Sequence, residues 1–174
     1  MYWKLKLLIS MTDNSFEPKI LAFCCHFCAY ASADLAGSMR LQYPTGVRII
    51  RTPCTGRLEV EYYMKAIENG ADGVLVAGCL EGGCHFIDGN LIAKKRVNAI
   101  RTILAECGIE KERLRMVNIS AAMAKNLVDV IFEMVDTIKQ IGPNPLKTNS
   151  KILKEEIHND SCSKKNNPGT EKYY

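Results

Sequence analysis

Four short apolar runs, each followed by a break and a helix-patterned stretch, constrain this chain more than any other feature. Residues 19–23 read as a first strand, followed by a helix through Ala33, Leu35, Ala36 and Met39. Residues 47–50 read as a second strand, and the helix after it, about 60–68, stops at Asn69-Gly70, a usual helix end. Residues 73–77 form an unbroken apolar third strand, expected to be buried on both faces. A long helix over about 91–106 follows, with Leu91, Ile92, Val97, Ile100, Ile103 and Leu104 at helical spacing and Gly108 behind it. A fourth strand near 115–119 leads through Ser120, as the cap, into a last helix ending before Gly142-Pro143. The alternation predicts an α/β fold: a three-layer, four-stranded parallel sheet, flavodoxin-like or Rossmann-like, with right-handed crossovers and helices on both faces. Residues 1–17 read as an N-terminal extension and 18–146 as the domain. The stretch 147–174, rich in Lys, Asn, Ser, Asp and Glu without apolar period, reads as a disordered C-terminal tail.

That topology gives the cysteines their meaning. Cys24 and Cys25 follow the first strand, Cys54 the second and Cys79 the third, while Cys28 and Cys84 stand three and five residues further on. Strand ends of one sense share one edge of a parallel sheet, where open α/β folds place their ligands. Six thiols distant in sequence therefore converge on one rim. Gathered thiolates repel one another unless a cation or cluster sits among them. Four suffice for an iron–sulfur centre or for structural zinc. Gly78 and Gly82-Gly83 would let the backbone close around such a centre and offer N–H groups to its sulfurs. Cys54 and Cys79, each the sole cysteine at its strand end, lead the set. Cys107 reads as packing, Cys162 and His158 carry no signal, and His26 and His85 stand beside the group as loop residues or hydrogen-bond partners rather than ligands.

Composition removes several alternatives. The 174 residues are long enough for one cored domain, and a net charge of +4 is too modest for a nucleic-acid-binding stripe. The apolar stretch from Leu5 to Met11 is far shorter than the roughly 20 residues a membrane span needs and has no cleavage site behind it. A reducing, cytoplasmic compartment is expected, in which clustered cysteines bind metal or do redox chemistry. Among rivals, a thiol–disulfide oxidoreductase would use Cys25 and Cys28, but leaves Cys54, Cys79 and Cys84 without a role. A zinc-stabilised interaction module is the third reading. Arg40, Arg48, Arg51 and Arg57 offer basic docking surface, and the Lys94-Lys95-Arg96 run reads first as a solvated basic helix face.

The segments Ala22-Phe23-Cys24-Cys25-x-x-Cys28-Ala29-Tyr30-x-x-Ala33-Asp34, Arg51-x-x-Cys54-x-Gly56-Arg57 and Ala71-Asp72-Gly73-Val74-Leu75-Val76-x-Gly78-Cys79-x-x-x-x-Cys84-His85 resemble one family. It is the delta subunit of methyl-viologen-reducing hydrogenase, also called the hydrogenase iron–sulfur subunit. The likeness runs on through Gly89-Asn90, Lys94-Lys95-Arg96-Val97, Gly108-Ile109 and Arg113-Leu114 to Gly142-Pro143. It implies a non-catalytic electron carrier of anaerobic energy metabolism with a [2Fe–2S] cluster. By position, its ligands would come from Cys24, Cys25, Cys28, Cys54, Cys79 and Cys84. The implied partners are a heterodisulfide-reductase-type flavoprotein and a hydrogenase, formate dehydrogenase or other electron donor, in a hetero-oligomer. This chain departs from many family members at His26-Phe27, where they carry Asn-Trp, and at Leu80-Glu81-Gly82-Gly83, where they carry His-Pro-Gly-Asp. Both departures lie between candidate ligands and bear on cluster potential and partner identity.

Overall fold

A computed structural model describes residues 16–147; the expectations for the N-terminal extension, the C-terminal tail, His158 and Cys162 lie outside the described residues. Four strands, β1 (Ile20–Cys25), β2 (Val47–Thr52), β3 (Gly73–Gly78) and β4 (Leu114–Asn118), form one sheet. All pairings are parallel, in the order β2-β1-β3-β4. The helices are α1 (Ala31–Ser38), α2 (Val60–Glu68), α3 (Gly89–Glu106) and α4 (Ala124–Ile141). This is the flavodoxin type of strand order rather than the Rossmann one. The chain leaves β1 to one side and returns on the other, so the switch point falls beside β1 and β3, the two central strands.

Burial follows the layers. Every residue of β3 is buried, as its apolar run requires, whereas edge strand β2 exposes Arg48, Ile50 and Arg51. One sheet face packs Ile20, Ala22, Cys24, Leu75 and Ala77 against Leu127, Ile131, Met134, Val135 and Ile138 of α4. The other packs Phe23, Val74 and Val76 against Tyr63 and Ile67 of α2 and Val97, Ile100 and Leu104 of α3. The buried stripe of α3 is Ala93, Val97, Ile100 and Leu104; Leu91, Ile92 and Ile103, which also fit a helical period, stay largely in solvent. A second stripe one position over satisfies the same spacing test, and only the packing partner decides between them. Cys107, expected in packing, is exposed just past the end of α3.

Three local features differ from the sequence reading. Strand β1 runs two residues further, through both Cys24 and Cys25. A single π-helical turn, His26–Tyr30, precedes α1. Ser120 does not cap the last helix: the Met123 N–H bonds back to the Ser120 carbonyl (3.1 Å), closing a turn first, and α4 starts at Ala124.

The end of the sheet remote from the cysteines is tied by a buried polar knot. Asp72 is fully buried; its carboxylate accepts from the Lys19 N–H (2.8 Å), the Asn144 N–H (2.9 Å) and Lys147 Nζ (2.6 Å). Asn144, also fully buried, donates to the Ile67 and Ala71 carbonyls. Arg113, 1% exposed, donates to the carbonyls of Asp72, Gly142 and Pro143 and to the Glu110 carboxylate (2.7 Å). That guanidinium holds the Glu110 carboxyl below its usual pKa, chiefly through the hydrogen bond. A lowered carboxylate pKa contributes stability that is present above the unfolded value, about 4.3, and is lost as pH falls through the folded one. The Glu110 side chain is 42% exposed, so solvent screening keeps the effect small. The urea midpoint of Glu110→Gln should therefore lie slightly below the parent's at pH 7 and meet it at the acid end of that window.

Candidate metal centre

The cysteine rim forms where β1, β2 and β3 end. Parallel register sets Cys25 beside Thr52 and Cys24 beside Ala77, so Cys25, Pro53-Cys54 and Gly78-Cys79 emerge side by side. The Sγ atoms of Cys25, Cys28 and Cys79 lie within 4.8 Å of one another, all three residues buried, with Cys25 and Cys79 sulfurs 3.6 Å apart. The π-turn brings Cys28 back over Cys25; such turns are frequent at functional sites.

Cys54 and Cys84 form a flanking pair. An added Cβ on Gly89 would collide with the Cys54 sulfur and lie 3.4 Å from the Cys84 sulfur, so both thiols face the first residue of α3. Only a residue without a side chain fits there. Gly56 presses on Gly89 from the other side, its own Cβ position lying 2.6 Å from the Gly89 Cα. Cys54 interacts electrostatically with Cys25 as well as with Cys84, and Cys84 packs against the core group that holds Cys25, Cys28 and Cys79. Cys24 is placed differently. Adjacent strand residues point to opposite faces, and Cys24 is fully buried with Ile20 and Ala22 in the core beneath α4.

The thiols do not share one chemistry. A hydrogen bond from Cys28 pulls the Cys25 thiol down to about 5, against the opposing effect of burial. Cys28, as the donor, is pushed far above the ordinary thiol range, and burial adds to that. Burial raises Cys79 and Cys54, and it pushes Cys24 up to about 12. Backbone N–H groups converge on the sulfurs: Phe27 and Cys28 on Cys25, Ala29 on Cys28, Gly56 on Cys54 and His85 on Cys79. This is the arrangement a thiolate set needs, because each N–H offsets negative charge held out of water. It suits a disulfide oxidoreductase poorly. Cys25 and Cys28 are 1% and 5% exposed, so the low-pKa thiol is closed to a protein disulfide.

Two side chains outside the candidate site residues fix the loop after β3. Asn90, at the start of α3 and 2% exposed, donates to the carbonyls of Cys79 (3.1 Å) and Leu80 (2.9 Å). Asn118, at the end of β4, donates to the same Cys79 carbonyl. A polar residue at a fourth strand end, level with three cysteine-bearing ones, was the available signal. His26 and His85 are exposed, and they join an aromatic cap rather than the thiol group. The His85 ring stacks on Phe27 (centroids 3.9 Å apart, 16° between planes), with Phe86 edge-on to both. The basic residues are partly engaged within the chain: Arg96 with the Gly56 and Leu58 carbonyls and Glu59, Lys94 with Glu81, and Arg51 over the Tyr30 ring.

A flavodoxin-ordered α/β domain with buried cysteines gathered at its switch point defines the class: a domain with a three-thiol group that could hold a metal. The chain belongs to the methyl-viologen-reducing hydrogenase delta-subunit family, whose model matches residues 20–142. It is 47% identical over 131 residues to the vhu iron-sulfur subunit of the F420-non-reducing hydrogenase of Methanococcus maripaludis, covering 75% of this chain and 98% of that one. The corresponding protein of Methanocaldococcus jannaschii is 45% identical over 131 residues, covering 75% and 98%. One subunit of the ferredoxin:CoB-CoM heterodisulfide reductase of Methanosarcina mazei is 46% identical over 126 residues. That match covers 72% of this chain but only 16% of the longer relative. Among the described residues, no helix is long and apolar enough to cross a membrane.

Proposed function

We propose that this chain is a cytoplasmic electron-transfer subunit carrying a [2Fe–2S] cluster. It would relay electrons between a hydrogenase, formate dehydrogenase or other dehydrogenase and a heterodisulfide-reductase-type flavoprotein, as part of a hetero-oligomer. The observation that carries this reading is the buried Cys25–Cys28–Cys79 group at the switch point of a domain whose relatives are named iron–sulfur subunits. Cys25, Cys28 and Cys79 would hold the cluster with a further thiolate from Cys54 or Cys84, and Cys24 is left to the core. The residues fit such a group: the donors are all thiols, the Gly56 N–H donates to the Cys54 sulfur, and Gly89 makes room for the Cys54 and Cys84 sulfurs. When bound, the cluster supplies reversible one-electron transfer.

The chain's part is to set the conditions of that transfer. Buried thiolates disfavour added negative charge, and the N–H donors on their sulfurs counter that penalty; the balance sets the potential. The Phe27–His85 stack joins the turn that carries Cys28 to the loop that carries Cys84. Phe86 and Ile87, 50% and 88% exposed, leave the outer side of the rim apolar, suited to a protein partner that must approach closely. The presence of the same domain within a longer heterodisulfide reductase chain supports a partner of that kind.

Anaerobic purification followed by iron, sulfide and zinc analysis, with EPR after dithionite reduction, tests the reading. About two irons and two sulfides per chain and a reduced-state signal are expected of a [2Fe–2S] centre. A colourless protein that holds zinc, or no metal, would overturn it.

A further inference from the structure

Five thiols meet at a rim where an iron–sulfur cluster takes four. We propose that Cys54 and Cys84 share one coordination place as interchangeable thiolates, while Cys25, Cys28 and Cys79 each hold a place of their own. The inference rests on the iron–sulfur reading and goes beyond it. Cys54 and Cys84 come from different loops, one after β2 and one between β3 and α3, yet both sulfurs face Gly89. Each also reaches the three-cysteine group by its own route. Cys25 Sγ faces the Pro53 carbonyl next to Cys54 (3.9 Å), and Cys84 packs directly against the core group that holds Cys25, Cys28 and Cys79. Both thiols thus stand beside the three-cysteine group.

They are unequal in freedom. Cys54 is 3% exposed and its sulfur accepts from the Gly56 N–H (3.4 Å). Cys84 is half-buried, on a loop bounded by Gly82 at φ +77° and Ile87 at φ +68°. A β-branched residue held in the left-handed region is strained, and such strain gathers at segments with a second accessible conformation. Cys84 is therefore the thiol that arrives and departs, and Cys54 the one that waits. In the exchange one iron–thiolate bond forms as the other breaks. The proton of the arriving thiol passes to the departing thiolate, and no electron changes hands.

The test uses the full chain, purified without oxygen, as parent, Cys54→Ala, Cys84→Ala and the double variant, each checked for folding by circular dichroism. Each single variant should keep its iron and sulfide within about twofold of the parent, with EPR signals that differ from each other. The double variant should lose about tenfold or more, the scale on which site mutations weaken metal binding. Iodoacetamide labelling read by mass spectrometry adds a second measure: Cys84 should be modified in the loaded parent and protected in loaded Cys54→Ala. Loss of iron from one single variant to the level of the double would overturn the inference and leave the iron–sulfur reading standing. An iron-free parent would sink both.

Discussion

Cys79→Ala should leave the fold intact and remove the cluster. Its sulfur belongs to the group within 4.8 Å, and its backbone is the point on which Asn90 and Asn118 both act. Cys28 and Cys25 already belong to the same group, Cys54 and Cys84 face Gly89 and compete for a different place, and Cys24 lies in the core beneath α4. Loss of an outer partner of a ligand costs roughly 10- to 100-fold in metal affinity, and loss of the ligand itself should cost more. The protein should purify colourless, with an unchanged far-ultraviolet circular dichroism spectrum and no EPR signal after reduction. Retention of iron at the parent level would show that the three-thiol group is ordinary core packing.

The largest effect on stability is expected at the other end of the sheet. Asp72→Ala removes a fully buried carboxylate, breaks its ion pair with Lys147 and strands the N–H groups of Lys19 and Asn144. Breaking a buried, hydrogen-bonded charge pair on one side costs about 3 kcal/mol or more. In a domain of this size that is on the order of a 10 °C fall in Tm, readable by thermal denaturation of the metal-free protein. Asp72→Asn should recover part of the loss, because its amide oxygen can still accept from one of the backbone donors.

The sequence made the rim legible because strand ends in a parallel sheet need only be counted. Cys25, Cys54 and Cys79 are placed by topology, and that topology follows from the spacing of apolar runs. The difference between Cys24 and Cys25 was not legible in that way. It depends on where β1 stops: a strand ending at Phe23 leaves both cysteines in a loop, whereas one reaching Cys25 separates them by the pleat. Cys28 depended on a π-turn whose extra residue per turn no apolar period announces. Gly89 appeared only as part of the family likeness, because its function is a steric one between segments distant in sequence. Arg113 and Asp72 appeared as familiar residues without a reason, and Gly142-Pro143 only as the end of a helix. Their reason is mutual, each supplying what another buries, and such complementarity is invisible until the ends of β3, β4 and α4 are brought together.

The thiols occupy one pole of the sheet and the Asp72–Arg113–Asn144 knot the opposite pole, with the length of β3 between them. Substitutions that retune the reactive pole therefore leave the fastening of the domain untouched, and the converse holds. Evolution can thus adjust the rim residues, as at His26-Phe27 and Leu80–Gly83, to suit a new partner without renegotiating how the domain is held shut. A domain divided in this way is portable, and the same unit can serve as a separate protein or be carried inside a longer chain.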